Sequence, residues 1–126
     1  MVEVIREFVV KEEARGRFEL AYGPGGPWSK LSAGCPGFRG TTVLRDTENP
    51  RRYLTIDLWD TAPQRERAQG ESRTVYADLD AALGELTEST TEVGTFRVLA
   101  EATVRPLGRA SRSLAGEARP GSRRTR

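Results

Sequence analysis

The sequence predicts an α+β domain in which a four-stranded antiparallel sheet carries its helices on one face. Three observations lead there. Residues Arg52 to Trp59 alternate strictly, with Leu54, Ile56 and Leu58 on one side and Tyr53, Thr55, Asp57 and Trp59 on the other; that is the period of a strand. A capped helix follows at once: Thr61 stands at the cap, Gln64 at the reciprocal capping position and Pro63 in the first turn. The chain as a whole reads in the order β-α-β-β-α-β, the ferredoxin-like arrangement.

Each element has its own warrant. Val2 to Lys11 is the first strand. Glu12 to Tyr22 is a helix, with Ala14, Phe18, Ala21 and Tyr22 on one face. Gly23-Pro24-Gly25-Gly26-Pro27 breaks it, and Trp28 to Leu31 makes one further turn. Ser32 to Gly37 is a loop. Phe38 to Asp46 is the second strand, and the short turn Thr47-Glu48-Asn49-Pro50 returns the chain antiparallel along Arg52–Trp59. Ala62 to about Thr87 is helical, broken or bent at Gly70 and Ser72, with Tyr76, Leu79, Leu83 and Leu86 as an apolar stripe. Glu92 to Val104 is the fourth strand. Arg105 to Arg126 is mostly Ser, Gly, Ala and Arg, too poor in bulky apolar groups to offset ordering entropy. The expected organisation is one domain over 1–104 and a disordered, Arg-rich tail over 105–126.

Composition narrows the chemistry. Hydrophobic residues make up 37% and charged residues 30% of the chain, and no apolar run is long enough to span a bilayer. Histidine is absent, which excludes His-based triads, His general bases and His ligands to metal or haem. The one cysteine, Cys35, forms no internal disulfide and builds no zinc or iron–sulfur site. No Gly-x-Gly-x-x-Gly or P-loop motif occurs, and prolines interrupt the one Gly-rich loop. The expectation is a protein without metal or cofactor. The N-terminus is not a basic region leading into an apolar signal core, and a lone thiol suits a reducing compartment, so a cytoplasmic location is expected. The net charge of +2 divides into +6 after residue 104 and −4 before it. The tail lacks aromatics for base stacking and reads as a solvated extension rather than a nucleic-acid contact.

A two-layer domain leaves one sheet face bare, and a second copy of the chain is the simplest cover. Leu54, Ile56 and Leu58 are assigned to that dimer face and Tyr53, Thr55, Asp57 and Trp59 to the helices, although alternation alone also allows the reverse.

Several motifs in fixed order carry a family resemblance: Phe8-Val9-Val10-Lys11 leading into the first helix; Phe18-Glu19-x-x-Tyr22-Gly23-Pro24-x-Gly26-x-Trp28; Thr42-x-Leu44; Arg52-Tyr53-Leu54-Thr55-Ile56-Asp57-x-Trp59; Tyr76-x-x-Leu79-Asp80; Leu86-Thr87; and Gly94-x-Phe96. From Val4 to Leu99 the chain resembles the antibiotic biosynthesis monooxygenase domain family of dimeric α/β barrels. The resemblance implies a homodimer that oxidises an aromatic, phenolic or quinol-type metabolite with O2, without metal or flavin. The deprotonated substrate would supply the electrons, and the protein a dry pocket and orientation. Polyketide-oxidising relatives often carry an amide four residues before the strand tryptophan, where this chain has Thr55. Haem-degrading relatives need an axial histidine, which this chain lacks. The alternatives are a non-oxidative, small-molecule-binding or polyketide cyclase-like protein of the same fold, and a dimeric module without catalysis.

Candidate site residues follow. Trp59 would line the pocket and orient substrate or O2, or anchor the core at the strand end. Asp57 would act as a general base if burial raised its pKa, or pair with an arginine such as Arg97 or Arg39. Tyr53 and Tyr76 would hydrogen-bond a phenolate or quinone oxygen, or simply pack. Thr55 leaves space beside Trp59. Tyr22 and Trp28 flank the Gly/Pro loop and would gate the pocket or close the core.

Overall fold

The computed structural model describes residues 1–101. Strand β1 (Val2–Val10) passes through a 3-10 turn (Glu12–Ala14) into helices α1 (Arg15–Tyr22) and α2 (Pro27–Ala33). The hairpin of β2 (Phe38–Arg45) and β3 (Arg52–Trp59) follows, then helices α3 (Ala62–Glu71) and α4 (Arg73–Gly84) and strand β4 (Thr87–Arg97). The sheet runs β2-β3-β1-β4 and every neighbouring pair is antiparallel. This is the ferredoxin-like order.

Local chemistry explains the boundaries. Thr61 caps α3 by accepting the Gln64 backbone N–H at 3.3 Å. The helical region breaks at Ser72, where the α3 cap becomes the start of α4. Gly25 sits at φ 75°, and a Cβ on Gly26 would collide with the carbonyls of Leu20 and Ala21. The Gly/Pro loop is therefore what lets α2 fold back against the end of α1.

Two boundaries correct the sequence reading. Helix α2 runs for seven residues rather than one turn, started by Pro27. Strand β4 begins at Thr87, not Glu92, and ends at Arg97. Its first residues, Thr87 to Thr91, lie on an exposed edge strand. They need no apolar alternation, and their pairing with Val10 to Glu7 defines them. Two register shifts against β1, between Ile5 and Arg6 and between Val9 and Val10, blur the period further. The predicted strand end at Val104 and the Arg-rich tail over 105–126 lie outside the described residues.

The alternation of β3 resolves in one sense. Tyr53, Thr55, Asp57 and Trp59 are buried beneath the helices, while Leu54, Ile56 and Leu58 lie half-buried on the opposite face. Ile5 and Val9 share that opposite face with them. Leu44, paired with Leu54, and Phe96, paired with Glu3, are 43% and 47% exposed. The helix side carries two apolar clusters. One holds Phe8, Phe18, Tyr22, Trp28, Tyr53 and Tyr76 with aliphatic neighbours from α1 and α4. The other holds Val2, Val4, Trp59 and Ala68.

Candidate functional site

Between the two clusters the helix-facing side of the sheet turns polar. The strand ladders set Thr41 beside Asp57 and Asp57 beside Val4; in the next row Val43 meets Thr55 and Thr55 meets Arg6. Thr41, Asp57, Thr55 and Arg6 thus form a seam across three strands.

Asp57 is the centre of this seam. It is only 6% exposed, yet among the described residues its carboxylate is engaged by neutral donors rather than a cation. Trp28 Nε1–H donates to both carboxylate oxygens, at 3.1 Å and 3.2 Å, and the Thr41 hydroxyl donates to Oδ1 at 2.6 Å. Burial pushes the Asp57 carboxyl above its ordinary value, against the opposing pull of the Thr41 and Trp28 hydrogen bonds and of Arg6. The expected pairing with Arg39 is not formed: Arg39 binds Asp60 at 2.6 Å instead. Nor does Arg97 pair with Asp57 among the described residues; it stands opposite Val2 on the edge strand, one row away from the Asp57 row.

The tyrosines are poor bases here. Burial pushes Tyr22 up to about 12, despite the opposing effect of Arg6. Burial is also the leading cause that raises Tyr53 and Tyr76. All three stay protonated near neutral pH. Tyr53 donates to Glu19 Oε2 at 2.5 Å, and Tyr76 shares a 3.0 Å hydrogen bond with Ser32 Oγ. The Tyr76 ring meets Trp28 edge-on at 5.6 Å between centroids, which helps hold the indole over the seam.

Two clefts open beside the seam. The larger, about 810 Å³, lies between α1 and the β2–β3 hairpin and is walled by Glu19, Pro24, Thr41, Val43, Arg45 and Tyr53. The smaller, about 270 Å³, lies between α4 and β4 and is lined by Arg6, Phe8, Tyr22, Asp80, Leu83 and Thr90 among others. Thr41 is the link between the larger cleft and Asp57, because its side chain both lines the cleft and donates to the carboxylate. Among the described residues no group of three or more Cys, Asp and Glu side chains converges as a metal ion would require.

The family profile of antibiotic biosynthesis monooxygenases matches residues 1–72, more than half of the chain. The chain belongs to that family. Solved structures agree at the level of fold. The protein SnoaB, a cofactor-independent oxygenase from Streptomyces nogalater, superposes with a TM-score of 0.64 at 24% identity, over 83% of this chain and 97% of SnoaB. A SnoaB variant gives 0.67 at 23% identity, over 79% and 94%. A conserved protein from Methanosarcina mazei Go1 gives 0.60 at 17% identity, over 76% and 90%. No curated protein matches the chain at significance.

Within this antibiotic biosynthesis monooxygenase domain the residues singled out from sequence are spread over the seam, the two clefts and the apolar clusters. Asp57, Thr55 and Trp28 meet at the polar seam, and Tyr53 lines the larger cleft. Tyr22 lines the smaller cleft, and Tyr76 stands behind Trp28. Trp59 faces neither of these clefts; its ring packs edge-on against Phe38 at 5.1 Å, in the second apolar cluster. Sequence reasoning missed Arg6 and Thr41. Arg6 carried a readable signal, since it interrupts the inward series Val2, Val4, Phe8, Val10. Thr41 carried none, because a β-branched residue in a strand is unremarked.

Proposed function

We propose that this chain is a cofactor-independent monooxygenase that oxidises an aromatic, phenolic or quinol-type metabolite with O2, bound in the larger cleft. One observation carries the reading. A buried carboxylate of raised basicity, Asp57, is joined to that cleft by a single hydroxyl, Thr41 at 2.6 Å. Such chemistry needs a base more than a cofactor. In an anthrone or quinol the electrons come from the substrate once a proton has left. Thr41 relays that proton: its own hydrogen passes to Asp57 as it takes one from the substrate.

The resulting carbanion or phenolate then reacts with O2. For an anthrone the ring CH2 becomes a carbonyl. One oxygen atom stays on carbon, the other leaves as water with the two hydrogens, and the four electrons O2 requires come from that carbon. A cleft of about 810 Å³ has the size of a small-molecule site. Tyr53 serves as its aromatic floor, and its hydroxyl oxygen, which donates to Glu19, is left to accept from a substrate hydroxyl. Trp28, Tyr22, Tyr76 and Thr55 hold the seam from behind. Trp59, two residues beyond Asp57 on the same strand, acts as a positioning residue.

The functional unit we propose is a homodimer closed through the outer sheet faces, supported by the apolar surface of Leu44, Leu54, Ile56, Leu58 and Phe96. The second reading, binding without oxidation, draws on the burial of Trp59 in a core cluster away from both clefts. Oxygen uptake with anthrones and hydroxynaphthoquinols, in chelator-treated buffer without flavin, distinguishes the two. Saturable binding without O2 consumption would select the second.

A further inference from the structure

Arg6 is a cation where a ferredoxin-like core ordinarily holds an apolar residue. Its side chain is 14% exposed, and its guanidinium carbon lies over three rings, 4.7 Å from Trp28, 5.1 Å from Phe8 and 5.8 Å from Tyr22. These contacts hold the flat guanidinium in place and limit its hydration. Among the described residues its hydrogen-bonding capacity is barely used. Nη2 reaches the Tyr22 hydroxyl at 3.5 Å, and Nη1 makes a single 3.3 Å contact to Asp80 Oδ1.

We infer that the 270 Å³ cleft beside Arg6 is a binding site for a small aromatic carboxylate, with Asp80 occupying the anion's place when the site is empty. Three features support it. Among the described residues, Arg6 is the one basic residue lining the cleft. Phe8, Tyr22 and Leu83 give apolar walls for a one- or two-ring body, and at the rim the Thr87 hydroxyl donates to the Gly84 carbonyl and lies 3.4 Å from that of Thr90. Asp80 is a weak occupant: its side chain is 49% exposed and touches Arg6 through one oxygen, a contact of the kind that contributes little. A ligand carboxylate gripping the guanidinium by both oxygens makes two charge-assisted bonds in a drier place and displaces it. Glu92, opposite Arg6 in the β1–β4 ladder, is exposed and its charge is screened by water. This site does not depend on the oxidation proposed above.

The test is a titration of the full chain with 2-naphthoate and, as the uncharged control, 2-naphthol. Isothermal titration calorimetry is the readout. Saturable naphthoate binding is expected, several-fold tighter in Asp80→Asn because the competing carboxylate is gone. In Arg6→Met it should weaken by roughly tenfold or more, with naphthol binding little changed. Arg6→Lys, which keeps the charge but not the fork, should fall between. Absence of saturable naphthoate binding in the natural chain and Asp80→Asn would overturn the site. So would undiminished affinity in Arg6→Met. If Arg6→Met fails to fold, an Asp80→Asn variant that binds no more tightly overturns it alone.

Discussion

Trp28 donates one indole N–H to both oxygens of the Asp57 carboxylate, at 3.1 Å and 3.2 Å, across 29 residues of chain and from helix to sheet. This bond ties the folded-back helix α2 to the middle of β3. It also holds a carboxylate charge where burial alone would drive it out, because a buried acceptor of this kind needs donors to remain ionised.

Trp28→Phe removes the donor and keeps most of the ring. The loss should cost about 1–3 kcal/mol of stability, the range for stripping a partner from a buried polar group. Because the Trp28 hydrogen bond lowers the Asp57 pKa, its loss should raise that pKa further. Any activity that needs ionised Asp57 would then move its acidic limb to higher pH. Urea denaturation and a pH–rate profile check the two halves. An unchanged limb with reduced stability would mean that the bond is structural only.

Thr41 separates relay from packing. Thr41→Val keeps the shape and removes the hydroxyl that touches both cleft and carboxylate. Turnover should drop by about 100-fold, at the lower end of general-base contributions, while Thr41→Ser should retain most of it. Equal losses in both variants would point to packing.

Much of this geometry was legible from sequence. The strict alternation of Arg52–Trp59 placed Asp57 and Trp59 on one face, and burial of one face at the helices resolved the remaining choice. The Thr61–Gln64 cap and the break at Ser72 were written in residue type. The fourth strand was legible but its start at Thr87 was not, because an exposed edge strand needs no apolar rhythm and its bulges disturb what rhythm there is. The Trp28–Asp57 bond was invisible too, since it joins residues on different elements and depends on how α2 folds back. Arg6 was overlooked because a charge in a terminal strand ordinarily faces water.

Asp57→Asn gives a signed pH effect. The folded-state pKa of Asp57 is raised above its ordinary 3.8. The stability that protonated Asp57 contributes is therefore fully present below that ordinary value and is lost as pH rises through the folded one. Relative to Asp57→Asn, the natural chain should be most favoured near pH 4 and lose ground toward neutrality. Denaturation curves of both proteins at acidic and neutral pH measure the gap. A stability difference, natural chain minus variant, that does not fall as pH rises would contradict the effect of burial.

Ile56 probes the dimer. It lies half-buried at the middle of the outer face, paired with Ile5 and Thr42. Ile56→Glu places a charge at the proposed interface and should shift the chain to monomer, with lower stability, because a buried unpaired carboxylate is costly. Equilibrium sedimentation at micromolar concentration reports it. A natural chain that is monomeric there would remove the dimer from the account.

Asp57 is the proposed base of an oxidation whose electrons come from the substrate. O2 consumption by the natural chain and by Asp57→Asn, with anthrones in metal-chelated, flavin-free buffer, tests this most directly. Uptake by the natural chain is predicted, with a drop of roughly 100-fold or more in Asp57→Asn while calorimetry shows substrate binding retained. Equal uptake by the two proteins, or none by the natural chain across the panel, would contradict it.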